Sequence, residues 1–157
     1  MSSRTLSRWI AAAALSSCSL LSWASDTATM TVTATVVGVC KLVSVPTLDF
    51  GTLNQATAPV VNPPAVNVTY RCTKGTPPGS FKVGTLTSGP FNGVLSNGTD
   101  TITYTINWTP PTTAGSGLGS GVTPIDVPLI GSMPGGANYQ NVSAGTYTQS
   151  VPIEISP

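Results

Sequence analysis

Strict alternation of threonine with apolar residues is the feature that most constrains the fold of this chain. The alternation is unbroken from residue 27 to residue 36, with threonine at each odd position. The other face of this segment consists of Ala28, Met30, Val32, Ala34 and Val36. A period of two residues is typical of a β-strand with two different faces. The segment therefore predicts a β-strand, and the pattern alone favours the first strand of the chain's own sandwich over a strand that completes a neighbour's sheet.

Further alternating runs follow, and no run beyond residue 24 has apolar residues at the spacing of an amphipathic helix. The alternating sets are Val66, Val68, Tyr70 and Cys72; Phe81 and Val83; Ile102, Tyr104, Ile106 and Trp108; Ile125, Val127 and Leu129; and Val151, Ile153 and Ile155. Because Pro152 cannot donate to a sheet ladder, we expect the last strand at an edge. Six or seven short strands predict one antiparallel β-sandwich, with a small barrel as the alternative.

Two of the connections between these runs have distinctive sequences. Asn97-Gly98 predicts a hairpin turn, because this pair tolerates positive φ at both central positions. Residues 110–121 are rich in Pro, Thr, Ser and Gly, which predicts a mobile loop.

Residues 1–24 are typical of a secretory signal peptide. Arg4 and Arg8 precede a mostly apolar stretch that runs to Leu21, and Ala24 ends a small-x-small cleavage pattern. Cleavage would leave four basic and five acidic side chains, a net charge of −1. The sequence therefore predicts an exported chain with little charge.

Residues suited to catalysis or metal binding are scarce. The chain has no histidine, only 7% of its residues are charged, and its five acidic residues lie singly along the sequence. Acid–base catalysis and His-ligated metals are therefore disfavoured, and a near-neutral chain is not typical of a nucleic-acid binder. We expect no enzyme, no cofactor, no metal, no nucleic-acid partner and no small-molecule substrate.

Two cysteines remain after residue 24. In an exported chain Cys40 and Cys72 most simply form one disulfide bond. Closing this loop of 32 residues is worth about 3–4 kcal/mol in the chain-entropy model.

Several short segments carry a family resemblance in their order and spacing. They are Val36-Val37-Gly38-Val39-Cys40, Leu48-Asp49-Phe50-Gly51-Thr52-Leu53, Tyr70-Arg71-Cys72-Thr73-Lys74-Gly75-Thr76, Ile102-Thr103-Tyr104, the glycine-rich stretch 117–121, and Ala144-Gly145-Thr146-Tyr147-Thr148. With these segments the chain resembles a spore coat protein U domain, the unit of archaic chaperone–usher pilins. It departs from the family pattern at Gln149, where aspartate is frequent, and in its ending without an aromatic residue.

The resemblance implies an incomplete immunoglobulin-like antiparallel β-sandwich that lacks its final strand. It implies that a periplasmic chaperone fills the gap first, and that the next pilin subunit's N-terminal segment replaces it at the outer-membrane usher. The donor side chains would be Ala28, Met30, Val32, Ala34 and Val36. The acceptor groove would be bordered by Val151, Ile153 and Ile155, and Cys40 and Cys72 match the family's disulfide pair.

The expected organisation is a signal peptide at 1–24, a donor strand at 25–36 and a pilin-like sandwich at 37–157. The expected function is that of a structural subunit, exported through the periplasm and assembled into a surface fimbria by donor-strand exchange. The alternative is a self-contained secreted spore-coat-type protein or binding module of the same fold. In that alternative residues 25–36 pair within their own chain.

Overall fold

Seven β-strands make up the regular structure of residues 26–157, the part of the chain that the computed structural model describes. They are β1 (Cys40–Ser44), β2 (Val66–Cys72), β3 (Ser80–Val83), β4 (Phe91–Ser96), β5 (Thr101–Asn107), β6 (Ile125–Ser132) and β7 (Ile153–Ser156), with one 3₁₀ turn at Gly136–Asn138. No helix within this range is long and apolar enough to span a membrane. The predicted signal peptide, residues 1–24, lies outside the described residues.

The strands form two antiparallel sheets. The larger sheet has the order β1-β2-β6-β5-β4, and the smaller one pairs β3 with β7. In the register, Tyr70 of β2 lies opposite Ile125 of β6, and Ile106 of β5 lies opposite Gly131 further along β6. The predicted all-β antiparallel sandwich is confirmed.

The core lies on the inner faces of these strands, where the alternation places it. Its members from the strands are Val68, Tyr70, Cys72, Phe81, Val83, Ile102, Tyr104, Ile106, Val127 and Leu129, all at most 5% exposed. They are the apolar residues of the alternating runs, and their outward neighbours, such as Thr103 and Asn107, are exposed. Period-two alternation thus identified which side of each of these strands is buried.

Asn97-Gly98 does join two strands, β4 and β5, but not as a two-residue turn. The loop contains four residues, 97–100, since Ser96 lies opposite Thr101. Only Gly98 among them has positive φ, at 92°. The Asn97 side-chain oxygen accepts hydrogen bonds from the backbone N–H groups of Thr99 and Asp100, at 2.9 and 2.8 Å. This side-chain cap stabilises the longer loop, so positive φ is needed at one position rather than two.

The glycine-rich loop predicted to be mobile is attached to the end of β2. The Gly115 N–H donates to the Thr76 carbonyl and the Gly75 N–H donates to the Gly115 carbonyl, at 2.9 and 2.8 Å. Gly117 donates to the carbonyl of Cys72, and the Arg71 Nε donates to that of Val122. The loop therefore lies against the end of β2, and Gly115 permits this close approach.

Replacing Gly115 by alanine is expected to destabilise the fold by about 1–3 kcal/mol, as overpacking does. A Cβ at this position would collide with the backbone of Cys72, which cannot move independently of β2. The matched control is Gly119→Ala, because no atom lies within 4 Å of the corresponding Cβ position. Urea unfolding should show a lower midpoint for the first variant alone. Equal midpoints would contradict the packing described for this loop.

Candidate functional site

A long apolar groove opens between two stretches of chain that belong to neither sheet for most of their length. The first wall is residues 45–56 and the second wall is residues 142–153. The groove comprises a cavity of about 1110 Å³ and a smaller one of about 230 Å³. Both cavities are lined by Leu48, Phe50, Leu95 and Gln149, so these residues mark the place where the two adjoin.

The floor of the groove is the core of the sandwich itself. The smaller cavity is lined by Tyr104, Ile106 and Leu129, and the larger one by Ile102 and Met133. These side chains lie on the inner face of β5 and at or just beyond β6, and each is at most 5% exposed. The groove therefore leads directly into the apolar layer that a completed sandwich would cover.

The first wall is extended and carries its own alternation. Leu48 and Phe50 are partly buried against the core, whereas Asp49 between them is exposed. The Phe50 ring packs on Tyr104, with 5.5 Å between ring centroids. Among residues 26–157, no backbone group of residues 45–53 is hydrogen-bonded to another backbone group. The Gly51 N–H donates to the Asp49 carboxylate at 2.8 Å, and the other backbone groups of residues 45–53 have no backbone partner among the described residues, so this wall presents both apolar side chains and backbone hydrogen-bonding groups.

The second wall is tied to the edge of the larger sheet at two neighbouring residues. Thr148 and Ser96 exchange two backbone hydrogen bonds of 3.1 Å. The Gln149 Oε1 accepts hydrogen bonds from the Val94 N–H at 2.7 Å and from the Tyr104 hydroxyl at 2.9 Å. Burial raises the pKa of the Tyr104 hydroxyl, which keeps it protonated as a donor. Thr148 and Gln149 thus hold the second wall against β4 and β5, and the groove between the two walls remains open.

The start of the second wall is fastened to the β4–β5 hairpin through Ser143. The Ser143 N–H donates to the Asp100 carboxylate at 2.7 Å, and the Asn97 Nδ2 donates to the Ser143 hydroxyl at 2.9 Å. The side-chain and backbone hydrogen bonds from Ser143 lower the pKa of Asp100 below the ordinary value of an aspartate. These bonds favour the charged carboxylate, so the fastening depends on its ionisation.

Stability is therefore expected to fall in acid through Asp100. A carboxyl whose pKa is lower in the folded than in the unfolded chain stabilises the fold at pH values above its unfolded pKa. This contribution is lost as the pH falls through the folded pKa. Asp100→Asn should melt at a lower temperature than the unsubstituted protein near neutral pH, and the difference should disappear in strong acid. A difference in melting temperature that is constant with pH would contradict this role of Asp100.

The predicted acceptor residues lie in different places. Val151 and Ile153 line the smaller cavity. Ile155 lies further along β7, opposite Phe81 of β3. Most of the groove lining was not predicted as such, including Leu48, Phe50, Leu95, Met133 and Tyr139. The alternation at Leu48-Asp49-Phe50 is the sequence signal that could have indicated the first wall.

The predicted donor residues form no strand in the structure, and the first strand begins at Cys40. Residues 26–39 are exposed throughout. Met30, Val32 and Val36 are 85%, 78% and 82% exposed, and Ala28 and Ala34 are exposed as well. An isolated extended segment has no partner for its backbone hydrogen bonds, so alternation alone does not make it a strand.

The predicted cysteine pair is bonded in the structure. Cys40 and Cys72 form a disulfide, with 4.1 Å between their Cα atoms. They are directly opposite residues of β1 and β2, and Cys72 is fully buried. The bond therefore fixes the start of the first strand to the end of the second.

The chemistry that the groove offers is binding of extended peptide. Apolar pockets can provide specificity for alternate side chains, and backbone groups without a backbone partner can provide hydrogen bonds, which are the two requirements for adding a strand to a fold. Within residues 26–157, no group of three or more His, Cys, Asp or Glu side chains is placed to hold a metal ion.

Comparison with known proteins identifies a family. Searches of curated proteins and of solved structures gave no match. The family model for the Spore Coat Protein U domain matches residues 26–154, which is most of the chain and includes both walls of the groove. The chain belongs to the Spore Coat Protein U domain family.

Proposed function

We propose that this protein is a structural pilin subunit of a chaperone–usher fimbria and polymerises by donor-strand exchange. The family is a structural domain of the pilin or spore-coat type. The observation that carries the proposal is the open groove, whose floor is the core of the sandwich. The floor residues are already shielded from water, but an open groove lined by apolar side chains favours a strand that would fill it.

The N-terminal segment has the dimensions and side chains of that strand. Eight residue steps separate Ala28 from Val36, which corresponds to about 27 Å of extended chain. The first wall changes direction at Gly51, which has a φ of 70°, and turns at residues 55–57, so its straight part, residues 45–50, spans about 17 Å, which the donor segment is long enough to follow. Burial of each large donor side chain, Met30, Val32 or Val36, would contribute about 1.5–3 kcal/mol.

Assembly would follow the order that the groove requires. A periplasmic chaperone covers the apolar groove of the exported subunit first. At the outer-membrane usher, the donor segment of the next identical or related subunit replaces the chaperone. The product is a fimbria at the cell surface, and no cofactor takes part.

Deletion of residues 25–36 tests this proposal. The deleted protein should still bind a chaperone through its groove, yet form no polymer, since it has no strand to offer. Unheated gel electrophoresis of the assembled material should show a ladder of multimers for the full chain and none for the deletion. A synthetic peptide of residues 25–36 should bind the full chain only where its groove is empty.

The alternative, a self-contained secreted protein, predicts the opposite pair of results. Deletion of the segment would then unfold the protein, because its own sandwich would lose a strand. The full chain would be a stable monomer in the same experiment. The two functions are therefore separated by one variant and one measurement of assembly state.

A further inference from the structure

The sandwich has two ends that lie far apart along the strands. One end, the cysteine pole, contains the Cys40–Cys72 disulfide, Lys41, Arg71 and Lys74. The other, the hairpin pole, contains the β4–β5 loop 97–100. The first residue of β6, Ile125, pairs with Tyr70 of β2, which is two residues before Cys72. The last residue of β6, Ser132, pairs with Thr105 of β5, and the β4–β5 loop lies four residues further along β5. By the rise of about 3.4 Å per residue, the two poles are roughly 45 Å apart.

The chain that precedes β1 is attached to the cysteine pole. The Val39 N–H donates to the Thr73 hydroxyl at 3.0 Å, and the Thr73 N–H donates to the Val39 carbonyl at 2.9 Å. A Cβ at Gly38 would come within 3.0 Å of the Thr76 side chain, and the Thr73 hydroxyl donates to the Val37 carbonyl at 3.5 Å. The body of the subunit therefore begins at residue 37, and Val36 is the last donor residue. No flexible spacer separates the two.

This attachment fixes which poles meet in a polymer. Each subunit sends its own donor segment out from its cysteine pole. If the next donor also entered the groove from that pole, two neighbouring bodies would compete for the same space. An open-ended chain of identical contacts therefore requires the next body to lie at the hairpin pole. Because no spacer is present, the cysteine pole of one copy must contact the hairpin pole of the copy before it.

The cysteine pole carries positive charge that its own chain does not neutralise. Lys41 lies directly opposite Arg71 across β1 and β2, and such like-charged pairs are destabilising. Lys74 follows shortly after. Within residues 26–157, the ion pair present is Lys82–Glu154, which joins β3 to β7 elsewhere. The Arg71 guanidinium donates to loop carbonyls, of Val122 and Ser120, and not to a carboxylate.

The two poles also present complementary surfaces. At the hairpin pole, the Asp100 carboxylate is negatively charged, and the hydrogen bond that it accepts from the Ser143 N–H fixes its position. Val60 is 61% exposed beside Val61, which pairs with Met133 just beyond β6. At the cysteine pole, Val37 and Val39 are 69% and 42% exposed. Each pole thus combines exposed valine with charge, and the charges are opposite.

We infer that the cysteine pole is a docking surface for the hairpin pole of a second copy, and that this contact stiffens the polymer. The inference rests on the proposed function, because the inserted strand brings the poles together. The charged part of the contact is exposed, so salt should weaken it, with a screening length of about 8 Å at physiological ionic strength.

Two variants of the full chain test the contact. Insertion of Gly-Ser-Gly-Ser between Val36 and Val37 should preserve strand exchange but separate the poles. The double variant Lys41→Glu with Lys74→Glu keeps the linker unchanged but gives the cysteine pole negative charge, which should repel the Asp100 carboxylate of the hairpin pole. In both, electron micrographs should show polymers whose persistence length is several-fold shorter than that of the unsubstituted protein. The matched control is Lys82→Glu with Glu154→Lys, which exchanges a charge pair away from the poles and should leave stiffness unchanged.

The outcomes separate this inference from the proposed function. Polymers that remain equally stiff after both the insertion and the charge reversal would overturn the docking surface but leave strand exchange intact. A third variant, Thr99→Lys combined with the charge reversal, places a positive charge on the same exposed loop and leaves the Asp100–Ser143 bond intact. It should recover stiffness if the poles meet as inferred, and a failure to recover it would contradict the pairing. Polymers that form without residues 25–36 would instead overturn the proposed function.

Discussion

Val32→Asp is expected to abolish polymer formation while leaving the sandwich folded. Val32 is 78% exposed in the single chain, so the substitution removes nothing from the core of its own subunit. In the polymer the same side chain would enter the neighbour's groove, where burial of valine contributes about 1.5–3 kcal/mol. An aspartate there would lose this contribution and also bury a charge, at a cost of several kcal/mol more. A total near 5 kcal/mol corresponds to a loss of several thousandfold in the equilibrium constant for strand insertion.

The control for this variant lies on the other face of the same segment. Thr33→Asp introduces the same charge one position away, where the side chain would remain in solvent after insertion. Multimer ladders in unheated gels should be absent for the first variant and near normal for the second. Equal assembly of both would mean that the apolar face is not what the groove binds. Thermal unfolding of both monomers should match that of the unsubstituted chain.

Removal of the disulfide is expected to have the second largest effect. The bond closes a loop across 32 residues, so Cys40→Ala with Cys72→Ala should lower the free energy of unfolding by about 3–4 kcal/mol in the chain-entropy model. Loss of packing at the fully buried Cys72 would add to this figure. The urea midpoint should fall by about 1–3 M, given the usual dependence of unfolding free energy on urea.

Reduction provides an independent control for the cysteine variant. The unsubstituted protein unfolded in the presence of dithiothreitol should approach the midpoint of the double variant, and the reductant should not change the variant itself. A double variant as stable as the oxidised protein would show that β1 and β2 are held by their ladder and packing alone.

The strands of the core could be predicted from the sequence because each strand buries only one of its two faces. In β2, β5 and β6 the buried residues alternate with exposed ones, so the period of two is visible in the sequence. β4 was not predicted, since Phe91-Asn92-Gly93-Val94-Leu95-Ser96 does not alternate: Val94 is 44% exposed and Gly93 contributes no side chain. β1 is short and was noted only as part of the family motif that ends at Cys40.

The groove was predicted on one side only. The family resemblance assigned Val151 and Ile153 to the border of a groove, and both residues line the smaller cavity. The first wall could not be recognised in the same way, since residues 45–56 form no ladder with any of the described residues. The role of Gln149 also depends on contacts distant in sequence, with Val94 and Tyr104, which no local pattern reveals. The sequence departure at this position did, however, mark it as unusual.

The closed edge of β4 has a consequence for the shape of the assembly. Thr148 and Gln149 occupy the backbone groups of Ser96 and Val94 that an additional strand would need. Under the proposed function each chain then behaves as a bifunctional monomer, with one reactive group of each kind, and such monomers yield unbranched products. A small proportion of a chain lacking residues 25–36 would act as a chain stopper, because it accepts a neighbour but cannot attach itself. The ratio of stopper to intact chain would set the mean length of the fibre.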